Sequence, residues 1–223
     1  MLSLEDIKPL HLADVTFPQG HPRSAQTGPV YAFLIMHPDG IVIVDTGMGD
    51  HPAINQLYRP VLRSLADALG ETGVSRDDIR IVVNTHLHFD HCGGNQLFTG
   101  RPIVVQTKEY EASRTPLYTI PEWVDFPGAK FKLVQGEAEV LPGIRLVPTP
   151  GHTPGHQSVL VETDAGRIVI AGQAAETTDE FAGQPEAGAA DSPEEYLASL
   201  RRLHELKPRR VLFSHDAKVW EAR

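Results

Sequence analysis

The chain has 223 residues, of which 41% are hydrophobic and 22% are charged, and its formal net charge is −9. This is the composition of an ordinary globular protein, and the negative charge disfavours binding to nucleic acid. The single cysteine, Cys92, excludes an intramolecular disulfide, and the first residues lack the pattern of a signal peptide. No apolar run approaches the length of a membrane span. We therefore expect a cytoplasmic protein, without membrane or nucleic-acid partners, that folds as one domain over residues 1–223.

A β-hairpin is predicted in the N-terminal part of the chain. Residues 30–35 and 41–45 are rich in apolar side chains, and Asp39-Gly40 between them is a turn signal. Asp45 ends the second strand, so its carboxylate either forms the turn or is a buried hydrogen-bond acceptor. Residues 52–69 carry leucine and valine at helical spacing and are followed by Gly70, which predicts one continuous helix.

Three histidines and an aspartate follow the next predicted strand, residues 81–84. In an extended segment His86 and His88 point to the same side, and Asp90 and His91 can approach the same place from the following turn. Imidazole and carboxylate ligands of this kind suit zinc or iron. The alternative is a polar loop of unrelated histidines, in which unpaired groups beside a buried strand would be costly. The cluster therefore predicts a metal site.

Short elements and an irregular segment are expected after the cluster. A short helix is predicted near residues 94–98, a strand at 103–105 and one or two helical turns within 108–114. The following segment, residues 113–128, contains three prolines and the aromatic residues Tyr118, Trp123 and Phe126. These aromatic side chains either pack onto the core or line an apolar substrate pocket.

The C-terminal half is predicted to alternate strands and helices, which favours α/β layering. The predicted strands are residues 131–134, 144–148, 158–162, 167–171 and 211–213. A helix should begin after Ser192, because Pro193 and Glu195 follow at the positions of a capped N-terminus. Residues 174–191, rich in alanine, glycine and acidic side chains, are predicted to form a mobile loop.

Two further histidines lie where predicted strands end. His152 follows the strand at 144–148, and His215 follows the strand at 211–213. Ligands delivered to strand ends from remote parts of the chain can build one site on a rigid scaffold. His156, four residues after His152, is interpreted as a loop histidine.

Together these motifs resemble the metallo-β-lactamase superfamily, and within it the N-acyl-homoserine lactonase branch. The resemblance rests on the His-Leu-His-Phe-Asp-His run at 86–91, the Gly-His-Thr-Pro-Gly-His run at 151–156, the Asp-Thr-Gly turn at 45–47 and Ser214-His215. It covers residues 30–215 and implies an α/β fold, a four-layer αββα sandwich with metals at one edge of two packed sheets.

The resemblance also implies a site and a reaction. One metal would be held by His86, His88 and His152, and a second by Asp90, His91 and His215. Asp45 would hydrogen-bond a ligand and fix its orientation. The cofactor would be one or two zinc ions, with iron, manganese or cobalt as alternatives. The chemistry would be attack by metal-bound hydroxide on a lactone or ester carbonyl of a small-molecule substrate, with Asp90 moving a proton to the leaving alkoxide. The chain would act as a monomer or homodimer.

Two residues depart from the family pattern. The family places a metal-bridging aspartate where this chain has Gln173, and a tyrosine that holds the substrate carbonyl where it has Glu176. The amide oxygen of Gln173 can still bind a metal, but it carries no charge. At about 4 Å one unit charge is worth roughly 4 kcal/mol at an effective dielectric of 20, so we expect the second metal to bind more weakly. Glu176 either supplies the missing charge and joins the catalytic residues, or is a solvated residue of an acidic loop.

These departures leave other functions open. One is a hydrolase of the same fold that acts on a thioester or phosphoester. Another is a metal- or ligand-binding protein that lost turnover when Gln173 and Glu176 appeared. A redox di-iron function is least favoured, because nothing in the sequence indicates a flavin partner or an electron-transfer domain.

Overall fold

The computed structural model describes residues 1–185 and 190–222. The strands in this part are β1 (Ile7–Thr16), β2 (Thr27–Ile35), β3 (Ile41–Val44), β4 (Val61–Leu62), β5 (Ile79–Val83), β6 (Pro102–Gln106), β7 (Lys130–Val134), β8 (Ala138–Leu141), β9 (Ile144–Pro148), β10 (Gln157–Thr163), β11 (Gly166–Ile170), β12 (Arg210–Leu212) and β13 (Trp220–Glu221). The α-helices are α1 (Pro52–Tyr58), α2 (Leu65–Gly70), α3 (Phe89–Cys92), α4 (Thr107–Ala112), α5 (Thr178–Phe181) and α6 (Pro193–Glu205). Within these residues, no helix has the length and apolar character needed to cross a bilayer.

The strands form two mixed sheets. The larger has seven strands in the order β4-β1-β2-β3-β5-β6-β7, and the smaller has six in the order β13-β12-β11-β10-β9-β8. Strands β3, β5, β6 and β7 run parallel, as do β11 and β12, whereas the remaining neighbours are antiparallel. The parallel strands of each sheet therefore end at a common edge, which is the place where ligands usually bind in such sheets.

The core between the sheets is formed by alternate residues of their strands. In β2, Phe33 and Ile35 face the smaller sheet, and Val159 and Val161 of β10 face them from the other side. This alternation follows from the two-residue period of a strand. It leaves the intervening residues of each strand to face outward.

Helices cover both outer faces. Residues Leu65, Ala68 and Leu69 of α2 pack on the larger sheet, and Leu200 and Leu203 of α6 pack on the smaller one. The α/β assignment and the four-layer αββα sandwich predicted from the sequence are therefore confirmed.

The predicted helix over residues 52–69 is wrong. The segment is divided into α1, β4 and α2, and the break lies at Arg59, which adopts a left-handed conformation with φ 43°. Pro60 follows Arg59, and a residue before proline avoids helical geometry. Val61, counted in the predicted apolar stripe, is 70% exposed.

Most of the other predicted elements are confirmed. Strands β2, β3, β5, β6, β7, β9, β10, β11 and β12 all cover predicted runs. Helix α6 begins as predicted: the Ser192 side chain accepts a hydrogen bond from the backbone N–H of Glu195, and Pro193 occupies the first turn. Strands β1, β4, β8 and β13 were not predicted.

The predicted mobile loop at 174–191 is wrong in its first half. Ala174 and Ala175 are fully buried, and α5 places Phe181 against the smaller sheet. Residues 186–189 of the predicted loop lie outside the described part of the chain. The small side chains in this segment permit close packing, which composition alone cannot distinguish from flexibility.

Candidate metal centre

The predicted ligands meet at one edge of the two sheets. His86 and His88 follow β5 of the larger sheet, and the short helix α3 then carries Asp90 and His91. His152 follows β9 and His215 follows β12, both in the smaller sheet. The larger sheet thus supplies four of the side chains and the smaller sheet two.

These side chains form two groups that each have the geometry of a metal site. The first ligand group is His86, His88 and His152, and the second ligand group is Asp90, His91 and His215. Within each group the candidate ligand atoms lie within 4.8 Å of one another. The rings of His86 and His91, one from each group, have centroids only 4.0 Å apart, so the two groups are adjacent.

Unpartnered buried atoms mark the same place. Among the described residues, Nε2 of His86, Nε2 of His91 and Oε1 of Gln173 are buried and accept or donate no hydrogen bond. Buried polar atoms are normally paired, because leaving them unpaired costs free energy. Ions held between the two ligand groups would satisfy all three, so the residues present fit a metal centre.

A buried carboxylate orients two of the imidazoles. Asp45 accepts hydrogen bonds from the backbone N–H of Thr85 at 2.7 Å and from the Thr85 hydroxyl at 2.8 Å. Its Oδ2 also lies 2.8 Å from Nδ1 of His91, and the Thr85 hydroxyl oxygen lies 3.1 Å from Nδ1 of His86. In each ring the Nδ1–H group is held by one of these oxygens, which directs Nε2 into the site. Asp45 is the buried acceptor, and it also turns the chain in a left-handed conformation with φ 63°.

The remaining histidines are held in other ways. His215 donates from Nδ1 to the Pro29 carbonyl at 2.9 Å, which leaves Nε2 facing Asp90 Oδ2 at 3.4 Å. In the first ligand group, Nδ1 of His88 lies 3.1 Å from Nε2 of His152. This close approach of two ring nitrogens is suited to a shared ion.

Electrostatics separate the two ligand groups. Burial lowers the pKa of His88 to about 4 and the pKa values of His86 and His152 well below their ordinary value, so the first ligand group is neutral at pH 7. Burial also acts to lower the pKa of His91, but the Asp90 and Asp45 carboxylates outweigh it and raise that pKa to about 9. A metal entering the second ligand group must therefore displace a proton from His91.

Glu109 joins the two loops that carry the first ligand group. This fully buried carboxylate accepts hydrogen bonds from the Leu87 backbone N–H at 2.8 Å and from the Thr153 hydroxyl at 2.7 Å. It also accepts from the Gly155 backbone N–H at 3.2 Å and from the Tyr118 hydroxyl. Leu87 lies between His86 and His88, and Thr153 follows His152. Sequence reasoning missed Glu109, because a glutamate in a short helix carries no local sign of burial.

The two residues that depart from the family pattern are in contact. Gln173 is buried, and its Nε2 donates to Glu176 Oε1 at 3.2 Å. Glu176 is also buried and pairs with Arg23 at 3.2 Å. The alternative of a solvated Glu176 is therefore wrong, because the helical turn α5 folds the segment against the core. A role for Arg23 was not predicted, because Arg23 and Glu176 are far apart in the sequence and meet only in the folded protein.

His156 lies in the loop before β10 and in neither ligand group, as predicted, but it is fully buried there and has a structural role. Its Nδ1 donates to the Thr149 carbonyl oxygen at 3.1 Å, and its Nε2 accepts from the backbone N–H of Gln173 at 2.9 Å. Burial lowers the pKa of His156 to about 3, which keeps the ring neutral for this role. His156 thereby fixes the backbone that presents Gln173.

The aromatic residues of 113–128 pack onto the core, and one of them also lies beside a candidate metal ligand. Trp123 is 6% exposed and packs in a cluster with Leu87, Cys92 and Val105, while Phe126 packs beneath the larger sheet. Tyr118 differs, because its ring centroid lies 4.8 Å from that of His88.

A cavity of about 380 Å³ adjoins the second ligand group at His215. Its lining is polar and includes Arg23, Glu180 and Asp216. None of the three aromatic residues predicted to form a pocket is among its lining residues.

Comparisons with known proteins agree with this fold and site. Residues 25–215 match the model of the metallo-beta-lactamase superfamily. An N-acyl homoserine lactonase from a Bacillus species is 35% identical over 205 residues, which cover 84% of this chain and 81% of the relative.

Two solved structures are similar over nearly the whole chain. One is a Bacillus thuringiensis AiiA variant with N-decanoyl-L-homoserine bound at its active site, which has a TM-score of 0.82 and 30% identity and covers 95% of this chain and 93% of its own. The other is an N-acyl homoserine lactone hydrolase with the product N-hexanoyl-L-homoserine bound at its catalytic metal centre, with a TM-score of 0.80, 31% identity and coverage of 95% and 92%. With these likenesses and the family match, the chain belongs to the metallo-β-lactamase superfamily.

Proposed function

We propose that this protein is a metal-dependent hydrolase that opens the lactone ring of an N-acyl homoserine lactone or a related ester. The observation that carries the proposal is the convergence of two ligand groups whose buried Nε2 atoms, on His86 and His91, have no hydrogen-bond partner. Relatives and solved neighbours named as lactonases support the choice of substrate, and one of them holds an opened lactone at its metal centre. Such an activity would quench acyl-lactone signals.

The ligand sets suit divalent ions. The three neutral imidazoles of the first ligand group are the donor set of catalytic zinc sites, and they would hold one ion while leaving it accessible to water or substrate. We propose zinc, with iron, manganese or cobalt as alternatives that accept the same nitrogen and oxygen ligands. When bound, the ions would polarise the lactone carbonyl and lower the pKa of a water molecule.

The side chains of this chain would then orient the ligands and move protons. Asp45 and Thr85 hold the His86 and His91 rings with Nε2 directed into the site. Opening a lactone breaks the bond between the carbonyl carbon and the ring oxygen, and the departing alkoxide needs a proton. The attacking water loses a proton as its oxygen bonds to the carbonyl carbon, and we propose that the Asp90 carboxylate takes up this proton and passes it to the alkoxide. The proposal is supported by the position of Asp90 Oδ2, which lies 3.6 Å from His91 and 3.4 Å from His215. Glu176 is less suited to proton transfer, because Arg23 already pairs with it.

We further propose that residues 1–223 act as one catalytic domain. The two sheets share one core, and each sheet supplies ligands to the centre. Neither sheet holds a complete ligand group alone.

The test combines metal analysis with hydrolysis. Protein purified without added metal should contain divalent metal and hydrolyse N-hexanoyl homoserine lactone faster than a thioester or a phosphotriester. Chelation should abolish the activity, and added Zn²⁺ should restore it. As a matched control, His204→Ala changes a histidine outside both ligand groups and should leave metal content and rate unchanged.

Two outcomes would reject the proposal. Preferred hydrolysis of the thioester or phosphotriester would assign another reaction to the same fold. Metal and lactone binding without turnover would assign a binding protein, the alternative that the neutral Gln173 favours.

A further inference from the structure

Gln173 presents a buried amide oxygen to the second ligand group. Its Oε1 meets no donor with full hydrogen-bond geometry, but the side chain lies close enough to the His91 ring to act on it as an acceptor. Its backbone is fixed independently, because the Gln173 N–H donates to Nε2 of the buried His156. The His156 contact therefore fixes the backbone at residue 173, and the orientation of the side-chain amide depends on its own contacts.

Glu176 determines that rotation. The Gln173 Nε2 group donates to Glu176 Oε1 at 3.2 Å. An ionised carboxylate can only accept hydrogen bonds, so the opposite rotation would place the amide oxygen against another acceptor. With Nε2 held by Glu176, Oε1 is directed to the ligand side.

A largely buried ion pair with Arg23 favours this position of Glu176. The two side chains pair at 3.2 Å and are only 13% and 8% exposed. The Arg23 guanidinium also lies 4.0 Å from the centroid of the Phe17 ring, and the Glu176 backbone N–H donates to Glu180 Oε2 at 2.9 Å. Because Arg23 offsets the charge of Glu176, that carboxylate does not replace the missing anion at position 173.

We propose that Glu176, held by Arg23, is a positioning residue that turns the Gln173 amide so that its Oε1 serves as a neutral oxygen ligand for the second metal. Glu176 acts through Gln173 and does not itself touch the ion. The inference rests on the proposed function only in requiring a metal at the second ligand group, and it is independent of the substrate.

The test is a double-mutant cycle with metal affinity as its readout. The affinity for the second Zn²⁺ per chain is measured by competition with a chromophoric chelator, without substrate. Glu176→Met removes the acceptor that orients the amide and should weaken the second Zn²⁺ by about 10-fold or more, the usual cost of losing a residue that orients a ligand. In the Gln173→Asp background the same change should alter the affinity by less than about twofold, because either oxygen of an aspartate can face the ion.

Two further variants separate orientation from charge. Glu176→Gln loses the charge but keeps an oxygen that can accept from Gln173 Nε2, so it should retain most of the affinity that Glu176→Met loses. Asp179→Asn removes an equal charge from an exposed residue three positions away and should have no effect.

The opposing outcomes are distinct. Equal losses in both backgrounds, or equal losses for Glu176→Gln and Glu176→Met, would show that Glu176 acts by charge or as a ligand and would overturn the inference. A wild-type chain that binds only one Zn²⁺, or an unchanged affinity in Glu176→Met, would also overturn it. Two bound Zn²⁺ without lactone hydrolysis would instead defeat the proposed function and leave the inference standing.

Discussion

Glu109 accepts four hydrogen bonds at the junction of the loops that carry the first ligand group. Each carboxylate oxygen serves one loop: Oε1 accepts from Leu87 and Oε2 accepts from Thr153 and Gly155. A glutamine in its place would turn an amide N–H₂ group toward backbone donors on one of the two loops. The loops would then separate, although no metal ligand has changed.

We expect Glu109→Gln to weaken metal binding at the first ligand group by about 10-fold. It should also lower the free energy of unfolding by about 1 to 3 kcal/mol, the cost of a buried donor without a partner. Chelator competition and urea unfolding measure the two effects. Glu111→Gln, an exposed carboxylate on the same helix, is the matched control and should change neither. Full metal affinity in Glu109→Gln would show that the loops keep their geometry without this contact.

At the residue scale, the sequence predicted which candidate ligands lie together better than it predicted the residues that contact and support them. The spacing of His86, His88, Asp90 and His91 is a local pattern, and a strand followed by a turn brings its members together. Glu109 and Arg23 have no such pattern, since their partners lie far away in the chain and only the packed sheets bring them into contact. Glu176 was placed in the correct segment, but its burial depends on α5, which no local signal predicted.

At the scale of elements, the segment at 113–128 has little regular secondary structure, yet some of its side chains are part of the hydrophobic core. It contains Trp123 within a short 3₁₀ turn, Pro121–Trp123, and this side chain covers Leu87 and Cys92 beneath the histidine loop. Its ring also meets the imidazole of His51 edge-on, with centroids 6.1 Å apart. The segment is therefore a packed cover of the α3 region.

We expect Trp123→Ala to destabilise the protein by about 3 to 5 kcal/mol, as large-to-small changes of buried aromatic residues do. Any rise in KM should be the same for short and long acyl chains, because Trp123 does not line the cavity beside His215. Thermal unfolding and hydrolysis of two acyl lactones of different length measure these effects. Leu117→Ala in the same segment replaces a fully exposed side chain and should be neutral. A KM effect confined to long chains, with normal stability, would favour a role in the substrate pocket.

Helices were predicted correctly where the spacing of apolar residues and the capping residues indicated the same start. Helix α6 has a serine cap, a proline in its first turn and a buried stripe, and its start was predicted to the residue. The helix predicted over 52–69 rested on the spacing of its apolar residues, without an N-terminal cap, and the chain is interrupted at Pro60. Strand β1 contains Pro9 and mixed polarity, so it could be recognised only from its pairing with β2.

On the scale of the whole molecule, the metal centre connects the two sheets. His86, His88, Asp90 and His91 extend from the larger sheet, and His152 and His215 extend from the smaller one. A ligand that binds only the folded state stabilises it by about 2.7 kcal/mol at one hundred times its dissociation constant. If ions are bound at these ligand groups, unfolding the sandwich includes the free energy of releasing them.

We expect chelation to lower Tm by roughly 5 to 10 °C for each metal lost, since 1 kcal/mol corresponds to about 2 to 4 °C in a chain of this size. Calorimetric scans with and without chelator measure the shift. His152→Ala should lower Tm without chelator and show a smaller further shift with it, because its first ligand group is already incomplete. An equal chelator shift in wild type and His152→Ala would show that the effect does not come from this site.

The order of the ligands along the chain also bears on how the protein is made. During synthesis His86, His88, Asp90 and His91 leave the ribosome before His152 and His215. The last of these, His215, emerges only after most strands of the smaller sheet. Pairing β11 with β12 closes a long stretch of chain that includes α6, and such non-local contacts form slowly. Neither ligand group can thus be completed during synthesis of the first half. A complete ligand group therefore forms only after the ligand-bearing strands of both sheets have been synthesised and paired.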